Sequence, residues 1–306
     1  MNNKSAIQST NQLGLCCVFR DQPIKFRTTT VKVVSGLRRE AALVKLGGLC
    51  LANAEALIEA LRFCAKNGIG CFRINSQILP VKTHAEWGYE VSDLPDGAGI
   101  IQRFQQCGEF AREHGVRTCF HPDQFVVLNS PRAEVVDRSV AELEYQAEVA
   151  EWVGADVVNI HGGGAYGDKT DALARFASNL SRLSDRVRSR LTVENDDVTY
   201  TPTDLLPLCR SEGLPLVYDV HHHRCNRDDL SIEAATDQAL ATWQRKPLFH
   251  ISSPRDGWLG PKPRRHHDFI DLADFPDCWR DRPVTIEVEA KAKEVAVLDL
   301  ARQLAM

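Results

Sequence analysis

The sequence predicts an α/β protein built as a single (β/α)8 barrel, a TIM-barrel architecture. Three observations carry this. Eight short apolar runs recur along the chain, longer amphipathic segments separate them, and no linker or composition break divides the whole. Each run has the length of a strand and is nearly continuous in hydrophobicity, as parallel strands covered on both faces are. An open doubly wound sheet is the other arrangement that such alternation permits.

The polar stretch MNNKSAIQSTNQ at 1–12 reads as a loose tail, with no apolar segment of the signal-peptide kind. The barrel domain then spans 13–306. Its strand-like runs are LGLCCVF (13–19), GCFRINS (70–76), RTCFHPD (117–123), VVNIHGG (157–163), LTVEND (191–196), LVYDVHH (216–222), LFHISS (248–253) and VTIEVEA (284–290). Helix-like segments lie between them, for example 54–68 and 138–154. Gly68, Gly115, Gly154 and Gly213 each stand where a helix must stop before the next strand.

Length and composition agree with one barrel. The chain has 306 residues, 43% of them hydrophobic, enough for a large core. Its formal net charge of -4 argues against a protein that binds nucleic acid over its whole surface, but leaves room for a local basic cleft. The 10 cysteines show no C-x-x-C and no framework spacing, so they read as buried, reduced thiols of a cytoplasmic protein. No uncharged run reaches the length of a membrane helix, so no membrane partner is expected.

Most of the strand-like runs end in polar groups of the kind that hold metals. The third ends in His121, the fourth in His161, the fifth in Glu194, and the sixth in Asp219 followed by three histidines. The seventh carries His250 and the eighth carries Glu287 and Glu289. Each one alone reads as a hydrogen-bonded structural residue. Six strands bringing such groups to the face where barrel active sites lie predict a cluster instead. Mixed imidazole and carboxylate donors suit manganese, iron, zinc or cobalt better than calcium, and this many donors predict more than one ion. Adjacent ions bridged by a carboxylate suit cleavage of a phosphodiester.

The remaining candidates weigh differently. His114 falls at a helix end, where a cation complements the dipole. His84 lies in the loop after the second strand, on the catalytic side, and one of His266 and His267 can dip into the site. The glycine-rich NIHGGGAYGDK at 159–169 lacks Walker spacing and G-x-G-x-x-G, so no nucleotide cofactor is expected, and its glycines read as a tight turn beside His161. Cys225 is a weak candidate nucleophile. On strand alternation alone, Asp219, His221 and His223 would share a face, but the strand is expected to end near Val220, where alternation lapses.

FRINSQILP, HPDQFVVLNSP, NIHGGG, TVEND, YDVHHH, HISSP and IEVEAKAKE, in that order, resemble the ultraviolet damage endonuclease family from about residue 13 to about residue 295. The resemblance implies a TIM barrel holding two or three divalent ions, usually Mn(II). It implies incision of double-stranded DNA on the 5′ side of cyclobutane pyrimidine dimers and 6-4 photoproducts, sometimes at abasic sites, in excision repair. A cytoplasmic enzyme of this kind works at the nucleoid. By motif, the implied metal ligands are His84, His121, His161, Glu194, Asp219, His222, His250, His266 and Glu289, with Glu194, Asp219, His222 and Glu289 also implied as catalytic. The family pattern thus selects His222, leaving His221 behind it and His223 structural. It selects Glu289 over Glu287. Gln124 and Phe125 are the implied lesion-reading pair, a wedge for the gap left by a poorly stacked dinucleotide; on spacing alone, Phe125 also fits a core position.

Three positions depart from the family pattern. Leu15 and Phe125 stand where tyrosine is usual. Leu248 stands where the family carries a lysine near the metals, and leucine ligates nothing. A basic groove is expected from Arg73, Lys82, Arg132, Lys169, Arg255, Lys262, Arg264 and Arg265, with SPRDGWLGPKPRRHHD (253–268) and its Trp258 against phosphates. The competing readings are an abasic-site barrel nuclease, a metal-dependent sugar isomerase or epimerase, and a barrel that binds damaged DNA without cutting it.

Overall fold

The structure, a computed structural model, describes residues 11–306. The tail expected at 1–12 lies outside the described residues except for its last two, and Gln12 opens the first strand. The strands are β1 (Gln12–Cys16), β2 (Cys71–Ile74), β3 (Arg117–Phe120), β4 (Val157–His161), β5 (Leu191–Glu194), β6 (Leu216–Val217), β7 (Leu248–Ile251) and β8 (Thr285–Val288). They form one parallel sheet in the order β6-β5-β4-β3-β2-β1-β8-β7. The two ends of that order meet. Asp219 bridges His250, and the His250 N–H donates to the Tyr218 carbonyl at 3.1 Å. The sheet is therefore a closed barrel, not an open one.

Two apolar clusters explain why the strands read as continuous runs. The outer-face residues, such as Phe72, Phe120, Val158, Ile160 and Ile286, pack under the helices. Cys71, Cys119, Val157, Val217 and Leu248 fill the lower barrel interior, with Trp243 against them. Side chains alternate along a strand, so the next interior position lies two residues on. From that apolar layer the step leads to Arg73, His121, Asn159, Asp219 and His250. The same faces that close the floor thus carry polar groups at the top.

All four predicted glycines do end helices. Gly68, Gly115, Gly154 and Gly213 have φ between 65° and 70°, the left-handed region that a side chain disfavours. His114 caps its helix, stacked on Phe110 at 3.9 Å between ring centres.

Two elements differ from expectation. The segment expected at 54–68 is the second half of a helix running from Arg39 to Lys66, in which Gly47 lies buried against Leu94 and Pro95. This helix is long and apolar enough to cross a membrane by length and composition, but Leu46, Cys50, Leu57, Leu61 and Cys64 are buried in the core. The sixth run, expected to stay extended to near Val220, pairs only at Leu216–Val217 and then turns into the helix Val220–Cys225. Asp219 causes the switch: its Oδ1 accepts from the His222 N–H at 2.7 Å, an N-terminal cap that favours helix over ladder.

Candidate active site

The short helix that Asp219 caps sorts the three histidines. At helical spacing, positions 222 and 223 both come back towards position 219 and 221 does not; the contacts each ring makes separate 222 from 223. His222 Nδ1 lies 3.6 Å from Asp219 Oδ2 and 3.1 Å from Glu194 Oε1. The His221 ring is buried against Trp258 and His266, 5.1 and 5.2 Å away. His223 is turned into the core, where its Nδ1 meets the Tyr218 hydroxyl at 2.7 Å and its Nε2 meets Asp228 at 2.8 Å.

Glu194, at the end of β5, is fully buried at the centre. Its Oε2 accepts from Asn159 and faces His121 Nε2 at 3.0 Å. Its Oε1 faces His250 Nδ1 at 3.2 Å. The register between β4 and β5 sets His161 directly opposite Glu194. His121 directs its other ring nitrogen, Nδ1, at the Pro122 carbonyl, 3.1 Å away, which leaves Nε2 aimed inward. Glu289 follows the end of β8, with Oε1 3.6 Å from His250 Nδ1.

Seven of the nine predicted ligands therefore converge. His121, His161 and Glu194 make one group of ligand atoms within 4.8 Å of one another; Glu194, Asp219 and His222 make a second; Asp219, His250 and Glu289 make a third. Glu194 and Asp219 each belong to two groups. The two loop histidines stand apart. His84 lines the cleft, but its Nδ1 accepts the Glu86 and Trp87 backbone N–H groups at 3.2 and 3.1 Å, which puts the ring proton on Nε2. His266 reaches only to 3.7 Å from Glu289 Oε2, while its neighbour His267 accepts from the Phe269 N–H.

The residues fit a divalent cation. His161 Nδ1, Glu194 Oε1, Asp219 Oδ2 and His250 Nδ1 are buried and find no hydrogen-bond partner among the described residues. Leaving such atoms unpaired is costly unless something positive sits between them. The electrostatics show how tightly these charges are gathered. Burial alone would raise the Glu194 carboxyl, but His250, His161, His121 and His222 hold it well below the usual carboxylate range. Burial alone would lower His250, and Arg73 lowers it further; the Glu194 charge and the hydrogen bonds to Glu194 and Glu287 together outweigh both and push the ring up to about 10. His222 is raised well above its ordinary value in the same way, by Asp219 and Glu194 against burial. His161 goes the other way, lowered by burial. Burial pushes the Cys225 thiol up to about 11, which makes it a poor nucleophile.

Arg73 is a correction. Expected among the groove cations, it is 7% exposed and lies inside the barrel. Its Nε donates to Glu287 at 2.8 Å and its Nη1 to Glu289 at 2.7 Å. Glu287 in turn lies 2.7 Å from His250 Nε2. The signal was in the sequence: Cys71 and Arg73 alternate onto one face. Asn159, between Val157 and His161 on its face of β4, was legible by the same count. Of the other groove cations, Lys82 is paired with Glu90 at 3.0 Å and Lys169 with Asp204 at 2.7 Å, whereas Arg132, Arg255, Lys262, Arg264 and Arg265 are exposed. Trp258 turns inward, with its indole N–H on Asp274.

The cluster opens into a cleft of about 1430 Å³ whose lining includes His84, His121, Gln124, Phe125, His161, Glu194, His222 and Glu289. Asp123 shapes the tip that carries Gln124 and Phe125: its Oδ1 accepts from the Phe125 N–H at 3.1 Å and its carbonyl from the Val126 N–H at 2.9 Å. Gln124 is exposed, and Phe125 is 76% exposed and no part of the core. Of the departures, Leu15 is fully buried in the outer cluster, away from the cleft, and Leu248 closes the floor one interior position below His250.

A family model described as UV-endonuclease UvdE matches residues 11–306. The UV DNA damage endonuclease of Bacillus velezensis is 34% identical over 303 residues, covering 94% of this chain and 91% of that protein. The UV DNA damage endonuclease of Deinococcus radiodurans is 35% identical over 313 residues, covering 97% and 96%. Among solved structures, the crystal structure of SacUVDE matches with a TM-score of 0.85 at 28% identity, over 96% of this chain and 97% of that one.

Proposed function

Because the chain belongs to the UV-endonuclease UvdE family, we propose that it cuts the phosphodiester on the 5′ side of ultraviolet photoproducts in double-stranded DNA, using two or three divalent ions. Manganese is the expected ion and the cytoplasm, at the nucleoid, the expected place. Membership in a family of DNA-cleaving enzymes sets aside the sugar isomerase reading. Cyclobutane dimers and 6-4 photoproducts are the proposed substrates, with abasic sites as a further one.

The observation that carries this reading is the overlap of donor groups at Glu194 and Asp219. His121, His161, Glu194, Asp219, His222, His250 and Glu289 would hold the ions, with His84 and His266 completing the set from the loops when DNA or metal draws them in. Bound ions would supply an activated water and neutralise charge on the attacked phosphate. The chain's own residues do the rest. Glu194, Asp219, His222 and Glu289 fix the donors at the reacting centre. Asn159 holds the Glu194 carboxylate in place, and Glu287 orients His250 so that Nδ1 faces inward. Exposed Arg255, Lys262, Arg264 and Arg265 would take phosphates on the loop that leads to His266. Gln124 and Phe125 would enter the duplex at the lesion.

The test is nicking of supercoiled plasmid, irradiated against untreated, with manganese and with chelator. Nicking confined to irradiated plasmid and lost in chelator is expected. Equal nicking of both plasmids, or nicking that survives chelation, would overturn the reading.

A further inference from the structure

The glycine-rich loop 161–167 contributes His161 to the cluster, but the cluster gives no reason for the rest of it. Its shape is unusual. Tyr166 has φ of 49°, a left-handed conformation that bulky residues rarely adopt and that tends to be kept where it serves a site. The loop is firmly held in this form. Asn129 Nδ2 donates to the carbonyls of Gly162 and Gly164 at 2.7 and 2.8 Å, and the Tyr200 hydroxyl donates to the Gly164 carbonyl at 3.1 Å. A Cβ at Gly163 would stand 2.2 Å from Asn129 Oδ1, so only glycine lets Asn129 in.

The Tyr166 ring is backed by this scaffold. It lies over Gly164, where a Cβ would come to 3.2 Å from the ring. The Arg175 guanidinium stands 5.9 Å from the ring centre, anchored by its Nε on the Asn129 carbonyl at 3.1 Å. Yet the side chain is 48% exposed. Among the described residues, the aromatic side chains left exposed are two, Phe125 and Tyr166. Both line the cleft that leads to the metal-ligand cluster. Solvent-exposed aromatics held rigid in a nucleic-acid cleft are stacking surfaces for bases outside the helix.

A wedge that enters a duplex displaces bases, and displaced bases need somewhere to go. We propose that Tyr166 is a second stacking platform, which receives a base displaced from the damaged duplex when Phe125 enters it, and so sets specificity for damaged DNA. The inference rests on the damage-endonuclease reading above. No bond is made or broken at Tyr166; the phenol ring supplies a flat face that the loop has already oriented.

The test uses the full chain carrying Glu194→Gln, so that bound DNA is not cut, with manganese(II) present. Affinity is measured for one duplex, irradiated and untreated, in this parent and with Tyr166→Phe or Tyr166→Leu added. Tyr166→Leu should weaken binding of the irradiated duplex by about 10- to 100-fold and leave the untreated duplex within about twofold. Tyr166→Phe should stay near the parent. Leucine and phenylalanine meet the same backbone strain at φ of 49°, so the difference between them reports the aromatic face and not the loop. A 2-aminopurine placed opposite the lesion gives a second readout, quenched in the parent and the Phe variant and brighter in the Leu variant. Parent-like binding by Tyr166→Leu, or equal weakening for both duplexes, overturns the proposal alone. A parent that does not prefer irradiated DNA overturns the damage reading and this proposal together.

Discussion

Asp219 and His222 are joined twice: the Asp219 carboxylate caps the backbone N–H of His222 at 2.7 Å, and the same carboxylate lies 3.6 Å from the His222 ring. One side chain therefore both starts the helix and sets which histidine comes back over the cluster. Asp219→Ala would remove a helix cap and a donor at once. The expected result is a loss of about 1 kcal/mol of stability from the cap, together with weakened manganese binding. Asp219→Asn separates the two, since asparagine also caps. It should melt near the parent yet still bind manganese poorly; calorimetric titration and thermal melting measure both. Parent-like manganese affinity in the Asn variant would remove Asp219 from the ligand set.

Glu194→Gln is the sharpest test of the centre. The shape is kept and Asn159 can still pair with the amide oxygen, so the barrel should fold. The charge shared by two donor groups is lost. Because changes even to the partners of metal ligands cost about 10- to 100-fold, incision of irradiated plasmid should fall by at least about 100-fold. Full activity would sink the assignment of this residue.

The barrel was legible because strands covered on both faces leave continuous apolar runs, and the strand ends were legible because polar groups there had no other reason to recur. The failures have local causes. The sixth strand was expected to end near Val220 and stops three residues sooner, with a helix after it, because hydrophobicity does not register the Asp219 cap. Arg73 was placed on the surface because a charged residue is seldom buried unless paired, and its partners, Glu287 and Glu289, lie more than 200 residues away in sequence. His84 and His266 sit in loops, where spacing carries no geometry. Tyr166 was hidden by its glycines, which read as a turn and not as the frame of a side chain.

Protons compete with metal at this site. In the metal-free protein the His250 ring is raised to about 10 and His222 is raised well above its ordinary value, because carboxylates hold their protons. A cation that takes those nitrogens must displace the protons. Apparent manganese affinity should therefore rise with pH from about 6 to about 8, and binding should release protons. Titration calorimetry in buffers of different ionisation enthalpy reads the release directly. An affinity independent of pH would mean that neither ring is displaced.

Replacing Gln124 and Phe125 together with alanine should weaken discrimination between damaged and intact duplex. Stacking of one base is worth about 1–3 kcal/mol, so preference for the irradiated duplex should drop by about 5- to 150-fold. Manganese content should not change, because neither side chain belongs to the donor groups. Unchanged preference would dismiss the wedge.

Leu248→Lys places a lysine where the family resemblance leads one to expect it, at a position that this chain has closed. Leu248 is fully buried with Cys71, Cys119, Val157 and Val217, and the buried carboxylates above it already face Arg73. Glu287 and Glu289 are taken by Arg73, and the unpaired oxygens of Glu194 and Asp219 belong to the proposed metal site, so a second cation competes for partners, and a buried ammonium left unpaired costs several kcal/mol. The expected result is a fall of several degrees or more in Tm without a gain in incision. A rise in incision at unchanged Tm would show instead that the floor beneath His250 can open to admit the lysine, and that Arg73 leaves part of the carboxylate charge free to receive it.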